Sequence, residues 1–288
     1  MILSCTVSRA IDYILLHITE NIGVNDVASF SGYSKFYFSR MFKAETGQSV
    51  YSFIRRIRVE QCAFRLKTEQ HRSITDISVD YGYTSSNFST LFLQLEHETP
   101  YYFRKGIAKR SVAHPFFHAE QNVLEPYSEL CKKISVETFP DYTVIFERHI
   151  GNYHELAKDW CVFLDTYKNF QTQSALFFER TFDDPSIADD NSCIFDICMQ
   201  VETNDVQNSS LPKDKKELLQ SGMLTGGKFA VYHFKGRHQQ IFAAYQNMFN
   251  VWIPESGASI DDRYGFDIYR TVNEDASYME IDLCIPIR

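Results

Sequence analysis

The stretch GYSKFYFSRMF, Gly32 to Phe42, returns fifty residues later as GYTSSNFSTLF, Gly82 to Phe92. Gly32, Tyr33, Phe38 and Phe42 recur as Gly82, Tyr83, Phe88 and Phe92, whereas the basic residues do not recur. Extended outward, VNDVASFSGYSKFYFSRMFKAETGQSV aligns without a gap on ITDISVDYGYTSSNFSTLFLQLEHETP. A repeat of this length is a duplicated supersecondary unit. Each copy reads as a short helix, 25–31 or 75–81, then a glycine turn and a longer helix. Gly32 and Gly82 suit a turn where a Cβ is unfavourable. Ser34 and Thr84 suit the N-cap of the longer helix.

In the longer helix of copy one, Phe38, Met41, Phe42 and Glu45 recur at spacings of three and four, which defines an inward stripe. Lys35, Phe36, Ser39, Arg40 and Lys43 fall on the opposite face, the one a recognition helix turns to a major groove. Between the copies, VYSFIRRIRVEQCAFRLK (Val50 to Lys67) reads as one helix. Its Arg55, Arg56, Arg58, Arg65 and Lys67 stand against the single acid Glu60, a composition suited to phosphate contact.

Charge divides along the same line. Residues 1–110 carry 14 Lys/Arg against 10 Asp/Glu, and residues 111–288 carry 15 against 27. A basic part joined to an acidic part implies partners of different character. The seven cysteines lack CxxC spacing and sit among apolar residues, which reads as reduced thiols rather than a zinc site or disulfide frame. His114 and His118 lack further ligands nearby, so neither metal nor cofactor is expected. No apolar run nears the roughly 18 residues of a membrane span. VSRAIDYILLHI, broken by Arg9, Asp12 and His17, lacks the pattern of a signal peptide, and none is expected. The expected location is the cytoplasm.

Residues 7–106, including PYYFRKG, resemble the AraC-type transcription regulators, in particular the Rob-like branch that places its DNA-binding domain first. The resemblance implies monomeric binding with two recognition helices in successive major-groove segments. Carried over on matching positions, Phe36 packs on thymine methyls, while Ser39 and Arg40 reach base edges, Arg40 as a bidentate partner of guanine. Lys35 and Lys43 suit phosphates, as do Arg55, Arg56 and Arg58. Copy two departs from the pattern. Ser85, Thr90 and Leu93 replace Lys35, Arg40 and Lys43, and His97 replaces Gly47. Only Ser85, Ser86 and Asn87 remain for hydrogen bonds, with Ser86 and Asn87 the candidates for bases. The second unit is expected to bind more weakly and read less.

A second, looser duplication follows. With Gly151 on Gly236, DYTVIFERHIGNYHELAKDWCVFLDTY matches KFAVYHFKGRHQQIFAAYQNMFNVW, so that Leu156 meets Ile241 and Trp160 meets Tyr245. The helical spacing after each strand-like run, with further strands at SALFFERTF, CIFDICMQV, YGFDIYRTV and MEIDLCIPIR, predicts two pseudo-repeated helices on an antiparallel sheet. The expected fold is therefore an all-α double helix-turn-helix domain (1–108), a linker (109–132) and an α+β domain (133–288).

GNYHELAKDW, GGKFAVYHFKG, WIPESG, FDIY and the terminal IPI resemble the GyrI-like effector-binding domain. That resemblance implies a small, often hydrophobic and cationic ligand between the repeats. It maps the family's FExY glutamate to Asp267, one methylene shorter. An acidic, aromatic half suits an organic cation independently. Trp252, Tyr269, Tyr142, Trp160 and Tyr232 are the aromatic candidates for the cleft. The expected function is a DNA-binding regulator, an activator by family habit, with double-stranded DNA, a small-molecule effector and RNA polymerase as partners, and no membrane. The alternatives are a GyrI-like hydrolase, weakened by Phe229 where a tyrosine is usual, and a ligand-sequestering protein with a vestigial DNA-binding domain. No enzyme activity is expected.

Overall fold

The structure is a computed structural model that describes residues 1–119, 122–153, 156–172, 174–202, 220–273 and 277–288. His154 and Glu155 of GNYHELAKDW lie outside the described residues. The chain divides into two compact units, Met1–Ile107 and Ala108–Arg288.

The first unit is helical. α1 (Cys5–Leu16) precedes α2 (Val24–Phe30) and α3 (Lys35–Thr46), then α4 (Val50–Thr68), α5 (Ile74–Asp80) and α6 (Ser85–Glu96), and α7 (Pro100–Ala113) begins here. The bounds of α2 and α3 recur fifty residues later in α5 and α6. The core repeats with them. Phe42 meets Phe53 edge-on at 5.2 Å and 86°, and Phe92 meets Phe103 with the same distance and angle. Phe38 and Phe88 extend each stack and are fully buried. Edge-to-face rings combine large apolar burial with a preferred quadrupole geometry, so each copy carries its own aromatic wedge.

The ends of the longer helices follow from sequence. Ser34 and Thr84 accept from the backbone N–H of Tyr37 and Asn87, each at 3.4 Å, at the N-caps. At the C-caps, Gly47 has φ 74° and His97 has φ 59°. The left-handed turn therefore survives the loss of its glycine, at the expense of a Cβ in a region that L-residues avoid. Glu45, on the inward stripe, accepts from both Ser4 N and Ser4 Oγ at 2.9 Å and ties α3 to the start of α1.

The second unit contains α8 (Tyr127–Lys133), β1 (Ile134–Phe139), β2 (Tyr142–Gly151), α9 (Leu156–Thr166), β3 (Phe177–Thr181) and β4 (Cys193–Gln200). It continues with β5 (Gln220–Leu224), β6 (Gly227–Gly236) and α10 (Ile241–Asn247), which runs through a π-helical segment (Met248–Trp252) into α11 (Ile253–Ser256). β7 (Phe266–Val272) and β8 (Met279–Pro286) complete it. All eight strands form one antiparallel sheet in the order β1-β6-β8-β7-β3-β4-β2-β5. This order is symmetric about the β7/β3 seam. β2-β4-β3 with edge strand β5 mirrors β6-β8-β7 with edge strand β1, and each half sends its helix out from the end of its long strand. The edge strands β1 and β5 were not anticipated from sequence. Short and partly polar, they lack the apolar density that marks the inner strands.

Residues 109–132, read from sequence as a linker, lie in the second unit. His114 stacks on Phe242 at 4.8 Å, Phe117 is buried, and Asn247 Oδ1 accepts from the Glu125 backbone N–H at 2.9 Å.

The two faces of the sheet have different interiors. One gathers Val144, Phe146, Phe178, Phe229, Val231, Phe266 and Ile268. The other packs Ile145, Phe195, Ile197 and Met199 against Phe163 and Tyr167 of the α9 region, with Trp160 and Phe177 beside them. Strand alternation sends Glu179 and Asp267 to this second, helix-bearing face, since Phe178 and Ile268 point to the first.

Candidate functional site

The helical unit presents the first site. On α3, Lys35, Phe36, Tyr37, Arg40 and Lys43 are exposed and Ser39 is half-buried. Phe36 is 82% exposed, an unusual position for a phenylalanine with no packing role. A ring held out between Lys35 and Arg40 matches a helix face built to be covered by a partner. On α6 the corresponding face is hydroxylic and apolar. Ser85, Ser86 and Asn87 are exposed, Ser89 and Thr90 donate back to the Ser85 and Ser86 carbonyls at 2.9 and 3.1 Å, and Leu93 is exposed in place of a lysine. Two of the hydroxyls are therefore satisfied by the helix itself.

Helix α4 is less of a phosphate ladder than its composition implies. Arg55 donates to Gln94 Oε1 at 2.8 Å, linking α4 to α6. Arg56 is held by Gln48 and by both carboxylate oxygens of Glu60, the latter at 2.9–3.0 Å. Arg58 donates to the Ile18 carbonyl at 2.8 Å and also to the Glu20 carbonyl. Arg65 pairs with Glu69 at 2.7 Å, and Lys67 is fully buried. Arg56 and Arg58, assigned from sequence to phosphates, thus have their guanidiniums engaged by groups of the domain itself. Net charge along a helix does not report which guanidiniums fold back onto carbonyls of a neighbouring loop.

The second site lies on the helix-bearing face of the sheet, at its seam. Glu179 of β3 and Asp267 of β7 are directly opposite each other in the register. Both are buried. Tyr245 of α10 donates its hydroxyl to Asp267, and Tyr269 donates to Glu179 at 2.7 Å. Burial pushes the Glu179 carboxyl up to about 7, with the two neighbouring aromatic donors pulling the other way. Burial and then the charge of Glu179 hold Asp267 well above the ordinary carboxylate range. Such a pair retains protons near neutrality, because two like charges in a poorly solvated site resist simultaneous ionisation.

Trp160 packs edge-on against Tyr269 at 5.0 Å. Its indole N–H lies near enough to Glu179 to favour the ionised acid, yet it falls short of hydrogen-bond geometry. Among the described residues, the buried Tyr153 hydroxyl has no hydrogen-bond partner, and its ring packs against Phe195 on the same face of the sheet.

Asp267, Tyr269 and Trp160 are therefore brought together. Tyr142 is not, because it lies on the other face of the sheet, 4.9 Å from Phe178. Its distance from the acids is a consequence of β-strand parity. Tyr232 shares the acids' row but stands beyond Leu283, with Lys133 Nζ 6.0 Å from its ring. Trp252 lines a different cleft of about 430 Å³, with Val136, Lys228, Gly257 and Arg288. Sequence reasoning missed Glu179, Tyr245 and Tyr153. The repeat alignment already set Tyr245 on Trp160, a signal that the two occupy equivalent places. Phe229, at the tyrosine position of the family's hydrolases, belongs to the opposite face of the sheet.

The sequence pattern of the GyrI-like small molecule binding domain matches residues 132–288, more than half of the chain, and that of a helix-turn-helix domain matches residues 27–106. The regulatory protein SoxS of Salmonella typhimurium is 37% identical over 99 residues, which are 34% of this chain and 92% of SoxS. The uncharacterized HTH-type transcriptional regulator YbfP of Bacillus subtilis is 36% identical over 99 residues, 34% of this chain and 33% of YbfP. Among solved structures, the C-terminal domain of AraT, a response regulator from Geobacillus stearothermophilus, is 34% identical, covers 36% of this chain and 86% of its own, and superposes with a TM-score of 0.34. Among the described residues, no helix is long and apolar enough to cross a membrane. Through its duplicated helix-turn-helix unit and the sheet that follows, the chain belongs to the AraC-type transcription regulators that carry a GyrI-like small molecule binding domain.

Proposed function

We propose that this regulator activates transcription in response to a hydrophobic cation. In this reading α3 carries the sequence selectivity. Phe36, Ser39 and Arg40 read bases, with Lys35, Lys43 and Arg55 on phosphates. Ser86 and Asn87 of α6 add hydrogen bonds but little charge neutralisation, the term that dominates affinity for DNA. The AraC-type relationship supports activation through RNA polymerase as part of this reading.

The observation that carries the sensing half is the buried acid pair Glu179/Asp267 bordered by Trp160, Tyr245 and Tyr269. An organic cation gains Coulomb attraction from the carboxylates and a cation–π contribution from the rings. Its effect on transcription requires different affinities for two states of the protein.

Selection of preferred sites from a random DNA pool tests the DNA half. One selective block with an unselective flank is the expected motif. Two selective blocks roughly 10 base pairs apart would show that α6 also reads bases, and no enriched motif would refute the regulator reading. For the sensor, Asp267→Asn is expected to weaken an organic cation and leave its neutral isostere unchanged. Equal effects on both would remove Asp267 from the site.

A further inference from the structure

Glu179 lies in none of the segments that carry the GyrI-like resemblance, yet it holds the place in the first repeat that Asp267 holds in the second. With Gly151 set on Gly236, the register of β2 with β4 and of β4 with β3 can be followed beside that of β6 with β8 and β8 with β7. The path carries Ile197 onto Leu283 and Glu179 onto Asp267. The same superposition carries Trp160 onto Tyr245. The two carboxylates are thus equivalent by the internal two-fold relation of the domain and also face each other across its seam. Each borders the aromatic side chain that the helix of its own repeat supplies.

Like charges directly opposite in an antiparallel pair are destabilising, and here both are also buried. Among the described residues, neither acid has an Arg, Lys or His partner, and each accepts one phenolic hydrogen bond. A carboxylate offers about four acceptor sites, so most of their capacity is left for something else. Among the described residues, the Trp160 indole N–H beside Glu179 and the Tyr153 hydroxyl on the same face of the sheet are buried with no hydrogen-bond partner, which leaves two donors for polar recognition. A singly charged ligand matches one acid and leaves the other in apolar surroundings, where it must keep a proton. A doubly charged ligand matches both.

We propose that Glu179 and Asp267 together bind one ligand with two cationic groups, an aryl or alkyl diamine, with one ammonium on each carboxylate and the hydrocarbon between them against Trp160 and Tyr269. This inference rests on the reading of the domain as a cation sensor, and adds a second charge to the ligand and a role for Glu179.

The test is calorimetric titration of the full chain with p-xylylenediamine and with 4-methylbenzylamine, which has the same size and one amine fewer. The diamine is expected to bind about tenfold or more tightly than the monoamine. Glu179→Gln should abolish the preference, bringing the ratio of the two affinities to about one. Glu179→Asp should retain a preference, and thermal unfolding of both variants establishes that they fold. Equal affinity of the two amines for the wild type, or a preference that survives Glu179→Gln, overturns the dication inference alone. Binding of neither amine overturns the cation-sensor reading along with it.

Discussion

Glu179 and Asp267 face each other across the β3–β7 seam, where the two repeats of the domain meet, and each takes its hydrogen bond from a different tyrosine. The arrangement stores electrostatic tension in the fold. Each strand alternates so that its acid turns to the helix-bearing face, and the repeat supplies the second acid wherever it supplies the first.

This tension has a sign that can be measured. The Glu179 carboxyl titrates near 7 in the fold, against 4.5 for an unperturbed glutamate. Tyr269 on β7, Tyr245 on α10 and Trp160 on α9 border the pair, and none of them is a cation. A raised pKa means that the folded state holds the proton more tightly. The stabilising contribution is complete below about 4.5 and is lost as pH rises through 7. At roughly 1.4 kcal/mol per pH unit, the loss is about 3 kcal/mol. Glu179→Gln should flatten the stability profile between these limits and stabilise the protein at pH 8. Urea unfolding at pH 5 and pH 8 checks this, and an unchanged pH slope in the variant would refute it.

On DNA, Arg40→Ala should cost about 1–3 kcal/mol at the preferred site and relax selectivity at one base position. Loss of equal size on random DNA would instead make Arg40 a phosphate contact. Fluorescence anisotropy on both duplexes separates the outcomes.

Arg58 should behave as a structural residue. Its guanidinium holds the Ile18 and Glu20 carbonyls after α1, so Arg58→Ala should lower stability by roughly 1–3 kcal/mol. The slope of DNA affinity against salt should stay the same for the folded variant. A slope reduced by about one unit would return Arg58 to the phosphates.

His97 offers a stabilising change. It occupies the left-handed C-cap that glycine occupies in copy one, and a Cβ there is unfavourable. His97→Gly should therefore raise stability by about 0.5–1 kcal/mol. A melting temperature that falls would show that the imidazole makes a compensating contact.

Much of this protein was legible in the chain. The fifty-residue repeat specified paired helix-turn-helix units because its glycines, caps and phenylalanines act locally or at helical spacing. Phe38, Phe42, Phe88 and Phe92 had to share faces by periodicity alone. The exposure of Phe36 and Arg40 followed from the same periodicity. The six inner strands and the two helices of the sensor domain were equally plain, through alternation and the Gly151/Gly236 match.

Other features depended on partners distant in sequence. Which groups the arginines of α4 engage was decided by Glu60, Gln94 and the carbonyls of Ile18 and Glu20, none of which a charge count weighs. Tyr142 and Tyr269 look alike as strand aromatics, yet strand parity and the sheet register send them to opposite faces. Glu179 reads in FFERTF as an ordinary polar residue, and only the pairing of β3 with β7 sets it against Asp267. Local sequence fixes what each element is, since propensity, capping and period act over a few residues. The tertiary fold alone decides which buried charges meet, because a cross-strand pair 88 residues apart in sequence has no local signature.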